Sequence, residues 1–345
     1  MNKKKRFDNN KIYGDHFNVS PSKKLYEVFR NFFLSSKNWW LTKNNIKKYF
    51  EKNDFKNWII NNIPADSSIS PVITWVGHST FLIQISGINI LTDPIFNTFL
   101  FFYPRNFPAG ITLEKLPKID FIIVSHNHSD HMEKKSIAYI IKRDNSTVLV
   151  PKGNKDWFLK KGFSNVYEKE WWTECSFNLK NENIKFSFLP AIHWSAESAF
   201  SVNRSLWGSW MIEFNNYKIY FAGDTAYSNH FKDIAKKFSS INIALMPIGP
   251  IYPRMTQKIS HVDSYESVNA FIDLKAENFL PMHWGTFKLG SDNFLDPINQ
   301  LKMAWSKKSK FLEDKKLNIL KIGQKIKFDF PFDQIAKKPY GYELS

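Results

Sequence analysis

The chain runs to 345 residues, 43% of them hydrophobic and 17% aromatic, with a formal net charge of +16. That length and apolar content support one large domain with decoration, or at most two domains, and exclude disordered, collagen-like and disulfide-stapled classes. Cys175 is the single cysteine, so an internal disulfide and thiolate zinc sites are excluded, and any metal must be held by imidazole and carboxylate.

The charge is uneven: residues 1–60 hold 12 Lys and 2 Arg against five acids, +9 of the total. Such a balance fits attraction to nucleic acid, anionic lipid or phosphorylated substrates, and equally a compositional bias in a chain crowded with Asn, Ile and Phe. Met1 to Arg6 open like an export signal, but Phe7-Asp8-Asn9-Asn10-Lys11 follow where an apolar stretch should be. No run approaches the ~18 apolar residues of a membrane span. A cytoplasmic chain is therefore expected. Leu25, Val28, Phe29, Phe32 and Phe33 recur at i, i+3, i+4, i+7 and i+8, which predicts an amphipathic helix. Packing of that helix on the main domain is preferred over peripheral contact with an anionic membrane.

After Pro64 the texture changes. Val72–Val76, Thr80–Ile85 and Ile88–Thr92 read as strands, the last two joined at Ser86-Gly87, a hairpin signal. Phe121–Val124, Thr147–Val150, Ile184–Leu189, Ser209–Phe214, Lys218–Phe221, Ile243–Met246 and Asn278–Met282 continue the series, with helices expected near 133–143, 153–161, 229–238 and 263–273. This interleaving predicts an α/β fold with helices covering the sheets.

Four of these strands each end on a metal-binding residue type. Phe121–Val124 runs into Ser125-His126-Asn127-His128-Ser129-Asp130-His131, and Ile184–Leu189 into Pro190-Ala191-Ile192-His193. Lys218–Phe221 runs into Ala222-Gly223-Asp224-Thr225, and Asn278–Leu280 into Pro281-Met282-His283. Ligands gather at strand ends in layered α/β folds. A lone histidine is ordinarily a core or surface residue, but four candidate ligands within six positions are poorly explained by scatter. Mixed His and Asp sets suit zinc, and seven candidates exceed one tetrahedral ion while fitting two that share a carboxylate.

The His-x-His-x-Asp-His run, His193, Gly223-Asp224-Thr225 and His283 resemble the metallo-β-lactamase superfamily across residues 70 to 290. Trp75-Val76-Gly77-His78-Ser79-Thr80, Leu91-Thr92-Asp93-Pro94, His261-Val262-Asp263 and Met282-His283-Trp284-Gly285-Thr286-Phe287 are similar to the branch of N-acylphosphatidylethanolamine-hydrolysing phospholipase D, with the ascorbate-6-phosphate lactonases nearby. The resemblance implies a four-layer αββα sandwich over 71–345, a hydrolase domain preceded by a basic, aromatic, helical extension at 1–70. It implies two Zn²⁺, or another divalent pair, with His126, His128 and His193 on one ion, Asp130, His131 and His283 on the second, and Asp224 bridging.

His78 and Asp93 are expected to support ligands by hydrogen bonds rather than to bind metal themselves. The resemblance implies that His261, otherwise a surface or cap neighbour, faces substrate; His261 or a metal-bound water is expected to protonate the leaving group, and Asp130 to serve catalysis besides binding metal. Trp194, Trp207, Trp210 and Trp284 are read as core before acyl pocket, and His16 and His230 as surface residues. The expected activity is phosphodiester hydrolysis of phospholipase D type on N-acyl phosphatidylethanolamine-like lipids. A lactonase or small phosphoester hydrolase with a soluble substrate is the alternative. Nuclease activity is disfavoured, because the excess charge clusters outside the metal domain. Nothing in the sequence speaks to the oligomeric state.

Overall fold

The computed structural model describes residues 7, 55–97, 105–198 and 201–329. The helix expected around Leu25–Phe33 and His16 lie outside the described residues.

Apolar runs at the expected places form β1 (Val72–Gly77), β2 (Thr80–Ile85) and β3 (Ile88–Thr92). These three pair antiparallel, and Ser86 and Gly87 both take positive φ, 50° and 74°, as a two-residue hairpin turn requires. β4 (Phe121–Ile123) joins β3 in parallel. Then α1 (Lys134–Asp144), β5 (Thr147–Pro151), α2 (Lys155–Lys160) and β6 (Val166–Lys169) extend the sheet, again in parallel.

The second sheet begins with β7 (Thr173–Leu179), β8 (Glu182–Leu189), β9 (Ser209–Phe214) and β10 (Tyr217–Phe221), all antiparallel. Next come α3 (His230–Lys237), β11 (Ile243–Pro247), α4 (Arg254–Gln257), α5 (Ser264–Leu274), β12 (Asn278–Met282), α6 (Asp296–Lys307) and β13 (Lys316–Leu317), the strands pairing in parallel. Finally β14 (Lys325–Lys327) returns to β1, giving two seven-stranded sheets ordered β14-β1-β2-β3-β4-β5-β6 and β13-β12-β11-β10-β9-β8-β7.

Side-chain alternation sorts the first sheet's two faces. Phe81, Ile83, Ile85, Ile88, Ile90, Phe121 and Ile123 share one core cluster with Phe186, Ile212, Ile219 and Leu245 of the second sheet. Their neighbours Leu82, Leu91, Ile122, Val148 and Val150 turn the other way, onto Ile137 and Ile140 of α1 and Phe158 of α2. Outside the second sheet, α5 lays Phe271 against Phe279 of β12, ring centroids 5.2 Å apart. Asp263 caps that helix by accepting from the backbone N–H of Glu266 at 2.8 Å. The result is the expected four-layer αββα sandwich. Each fully buried Ile or Phe contributes ~1.5–3 kcal/mol, so this double core is ample to hold strained turns at its edge. No helix among the described residues is long and apolar enough to cross a membrane.

His230 corrects one expectation. It is fully buried rather than exposed, because with Phe231 and Ile234 it lies on the inner face of α3. Its Nε2 lies 3.2 Å from Thr225 Oγ1.

Candidate metal centre

The turns that follow β4, β8, β10 and β12 converge on one edge of the sandwich. Gly223 makes the approach of the β10 turn feasible: its φ is +58°, and a Cβ there would lie 2.5 Å from Ser125 Cβ and 2.9 Å from Gly208 O. With no side chain in the way, Asp224 reaches the histidines of the β4 turn.

All seven expected ligands meet. His126 Nε2 lies 2.8 Å from His128 Nδ1, which lies 3.2 Å from His193 Nε2, and the three form one compact group. Asp130, His131 and His283 form a second group, which also takes in His78. Asp224 Oδ2 stands between them, 3.2 Å from His131 Nε2, 3.1 Å from His283 Nε2, 3.7 Å from His193 Nε2 and 3.9 Å from His126 Nε2. Four polar atoms of these ligands, His128 Nε2, His131 Nε2, His283 Nε2 and Asp224 Oδ1, and Nδ1 of the neighbouring His261 are buried without a hydrogen bond of acceptable geometry. Orphaned, inward-facing imidazole and carboxylate atoms fit a pair of divalent cations such as zinc.

The outer nitrogens are anchored, which fixes each ring's orientation. His131 Nδ1 lies 2.7 Å from Asp93 Oδ2, His193 Nδ1 lies 2.9 Å from Ser260 O, and His283 Nδ1 lies 2.9 Å from Gly249 O. Ser125, not singled out by the sequence, links the groups: its hydroxyl reaches Asp93 Oδ2 at 2.6 Å and His126 Nδ1 at 2.9 Å. Its only sequence signal is its place just before the histidine run. His78 Nε2 lies 3.1 Å from Asp130 Oδ2. His261 Nδ1 is 3.8 Å from Asp224 Oδ2. His78, Asp93 and His283 take positive φ, 54°, 32° and 60°, a conformation that costs ~1–3 kcal/mol and gathers at functional sites.

Burial pushes His126 and His193 well below the usual imidazole value, His128 to about 4, and His78 and His261 to about 3. Neutral imidazoles keep the lone pair that a metal needs. Burial opposes ionisation of Asp224, yet His131 and then His283 hold it well below the carboxylate range. His131 alone is raised: burial works against its charge, but Asp224 and Asp130 outweigh it. Positive charge is favoured at the very place where the carboxylates converge, which is what a bound cation would supply.

Of the tryptophans, Trp207 and Trp210 are core, donating their indole N–H to Ala191 O and Val124 O at 3.1 and 2.9 Å. Trp284 is buried and stacks on Trp75 at 5.1 Å. Trp194 alone stays half-buried at the site, edge-on to His128 at 4.2 Å. Behind His283 a cavity of about 120 Å³ is lined by Trp284, Phe287, Phe294, Lys288 and Asp292.

Comparison with known proteins agrees with this geometry. The family model described as Beta-lactamase superfamily domain matches residues 88–284. The mitochondrial N-acyl-phosphatidylethanolamine-hydrolyzing phospholipase D of Saccharomyces cerevisiae is 38% identical over 238 residues, 67% of this chain and 51% of that one. The match thus takes in about half of the yeast protein's length. N-acyl-phosphatidylethanolamine-hydrolyzing phospholipase D 1 of Caenorhabditis elegans is 32% identical, covering 70% of this chain and 73% of the relative. Among solved structures, Igni18, a metallo hydrolase from Ignicoccus hospitalis, shares the fold with a TM-score of 0.59 at 21% identity, over 76% of this chain and 99% of that one.

Proposed function

This chain belongs to the β-lactamase superfamily, and from that premise we propose that it is a binuclear metal-dependent hydrolase, a phosphodiesterase of phospholipase D type acting on N-acyl phosphatidylethanolamine-like lipids. The observation that carries the reading is Asp224 Oδ2, one carboxylate oxygen within 3.9 Å of ligand nitrogens from both groups. The names of the yeast and worm relatives support the lipid phosphodiester as substrate.

His126, His128 and His193 would hold one ion, Asp130, His131 and His283 the other, with Asp224 between them. Two zinc ions, or another divalent pair, would supply Lewis acidity toward a phosphoryl oxygen and a water acidified to a pKa near ~7. The chain's own part is preorganisation. Asp93, Ser260 and Gly249 fix the outer face of three rings, so that their inner nitrogens need no reorientation during reaction. His261, 14% exposed and with Nδ1 3.8 Å from Asp224 Oδ2, would donate its ring N–H to a substrate oxygen. Asp130, its Oδ2 3.1 Å from His78 Nε2, would serve catalysis besides binding metal, as a proton acceptor. Peripheral contact with an anionic membrane belongs to this reading and rests on the charge of residues 1–60.

Metal analysis of the purified protein, followed by turnover on N-acyl phosphatidylethanolamine, bis-p-nitrophenyl phosphate, a lactone set and RNA, tests it. About two equivalents of zinc or a similar ion are expected, with the phospholipid hydrolysed fastest. Asp224→Ala is expected to loosen both ions, because its carboxylate lies between the groups. Full occupancy and activity in that variant, or preferred turnover of a lactone or RNA, would sink the assignment.

A further inference from the structure

The turn after β1 grips the second ligand group from outside. His78 sits at φ 54°, and four contacts hold it there. Its backbone N–H donates to Thr286 Oγ1 at 2.6 Å. Its carbonyl accepts from Trp75 Nε1 at 2.9 Å and from the backbone N–H of His283 at 3.1 Å. Its ring meets Asp130 Oδ2 at 3.1 Å, with ring centroids 4.2 Å from His283 and 4.9 Å from His131. One residue from the turn after β1 thus touches Asp130, His131 and His283, and one hydroxyl from the turn after β12 fixes its backbone.

Thr286 is fully buried, and Gly77 beside it leaves no spare room: a Cβ there would lie 3.3 Å from Thr286 Oγ1 and 2.6 Å from Arg105 Nη2. Burial and the 2.6 Å hydrogen bond keep the hydroxyl on the His78 N–H. The other group, His126, His128 and His193, is anchored through Ser260 and through Ser125, whose hydroxyl also reaches Asp93 behind His131, whereas the contacts of His78 with Thr286, Asp130, His131 and His283 lie on the second group's side. From this asymmetry we propose that Thr286 is a positioning residue for the Asp130, His131 and His283 group alone, acting through His78. The proposal rests on the two-ion reading above. It adds that the second ion's group has a support of its own, a hydroxyl from the turn after β12, besides the Ser125–Asp93 link that it shares with the first.

The test is a Co²⁺ titration of the ion-free full chain against a competing chelator, followed by visible absorption, with unfolding of the ion-free protein as a control. Thr286→Val keeps the shape and removes the acceptor, so it should bind the first ion as the parent does and the second ~10–100-fold more weakly. Thr286→Ser restores the acceptor and should recover both. Parental affinity for both ions in Thr286→Val, equal weakening of both, or failure of Thr286→Ser to rescue overturns the proposal. Should the ion-free Thr286→Val chain not fold, Thr286→Ala carries the test: weakening of the second ion alone supports the proposal, and weakening of neither or of both overturns it. A parent chain that takes up a single ion overturns the binuclear reading first, and this one with it.

Discussion

His230 shows how one buried side chain carries a pH dependence that has nothing to do with metal. Burial pushes its pKa to about 3, against ~6.5 in an unfolded chain. Between those values the unfolded state binds the extra proton, so the contribution is fully present above ~6.5 and is lost as pH falls toward 3, by up to ~1.4 kcal/mol per pH unit. His230→Gln fills similar space without titrating. Urea unfolding of the chelator-treated protein between pH 7 and 4 should show a shallower acid loss in the variant, by about one proton. The other buried imidazoles titrate in both proteins, so the difference belongs to His230. Equal slopes in the two proteins would remove His230 from the account. The residue was misplaced on the sequence because a polar side chain beside Asn229 reads as solvated; only the helix face shared with Phe231 and Ile234 puts it inside.

At the scale of elements, legibility follows from burial. Strands covered on both faces, such as β4 with every residue buried, appear as unbroken apolar runs, and the ends of β4, β8, β10 and β12 point to the ligands. At the edge of its sheet, β7 breaks that rule. Thr173, Glu174, Ser176 and Asn178 face solvent, leaving only Cys175, Phe177 and Leu179 as a half-buried stripe. Too short to carry a pattern, β13 and β14 are defined only by pairing. Nor is the pairing of β14 with β1 visible locally, since it joins distant parts of the chain. In the site, the ligands were legible because their types cluster; Ser125, Gly249 O, Ser260 O and Thr286 were not, because a hydroxyl or a carbonyl has no pattern until the fold aims it. Gly223 shows how tightly the elements meet. Gly223→Ala adds a methyl 2.5 Å from Ser125 Cβ at a positive φ. It should cost ~1–3 kcal/mol in urea unfolding and weaken ion binding by displacing Asp224. Unchanged stability with unchanged ion uptake would mean that the two turns have slack between them.

For the whole molecule the open quantity is charge: +16 in total, of which +9 lies in residues 1–60. Self-repulsion of that magnitude does not help folding, so either the charge serves what the chain meets or it is a compositional bias. An anionic bilayer would be attracted by ~1 kcal/mol per Lys or Arg near its surface. Replacing Lys3, Lys4, Lys5 and Arg6 by Gln removes four such charges and leaves every described residue of the metal centre in place. Turnover of N-acyl phosphatidylethanolamine in vesicles rich in phosphatidylserine should then fall at low salt, while turnover of bis-p-nitrophenyl phosphate in solution should not. The gap between parent and variant should close near 1 M salt, where the Debye length shrinks to ~3 Å. Loss on both substrates alike would mean that the basic segment supports the fold instead of reaching lipid. A vesicle rate that ignores both the substitution and the salt would leave the charge as a compositional bias, and the lipid would have to be recognised at the metal centre itself.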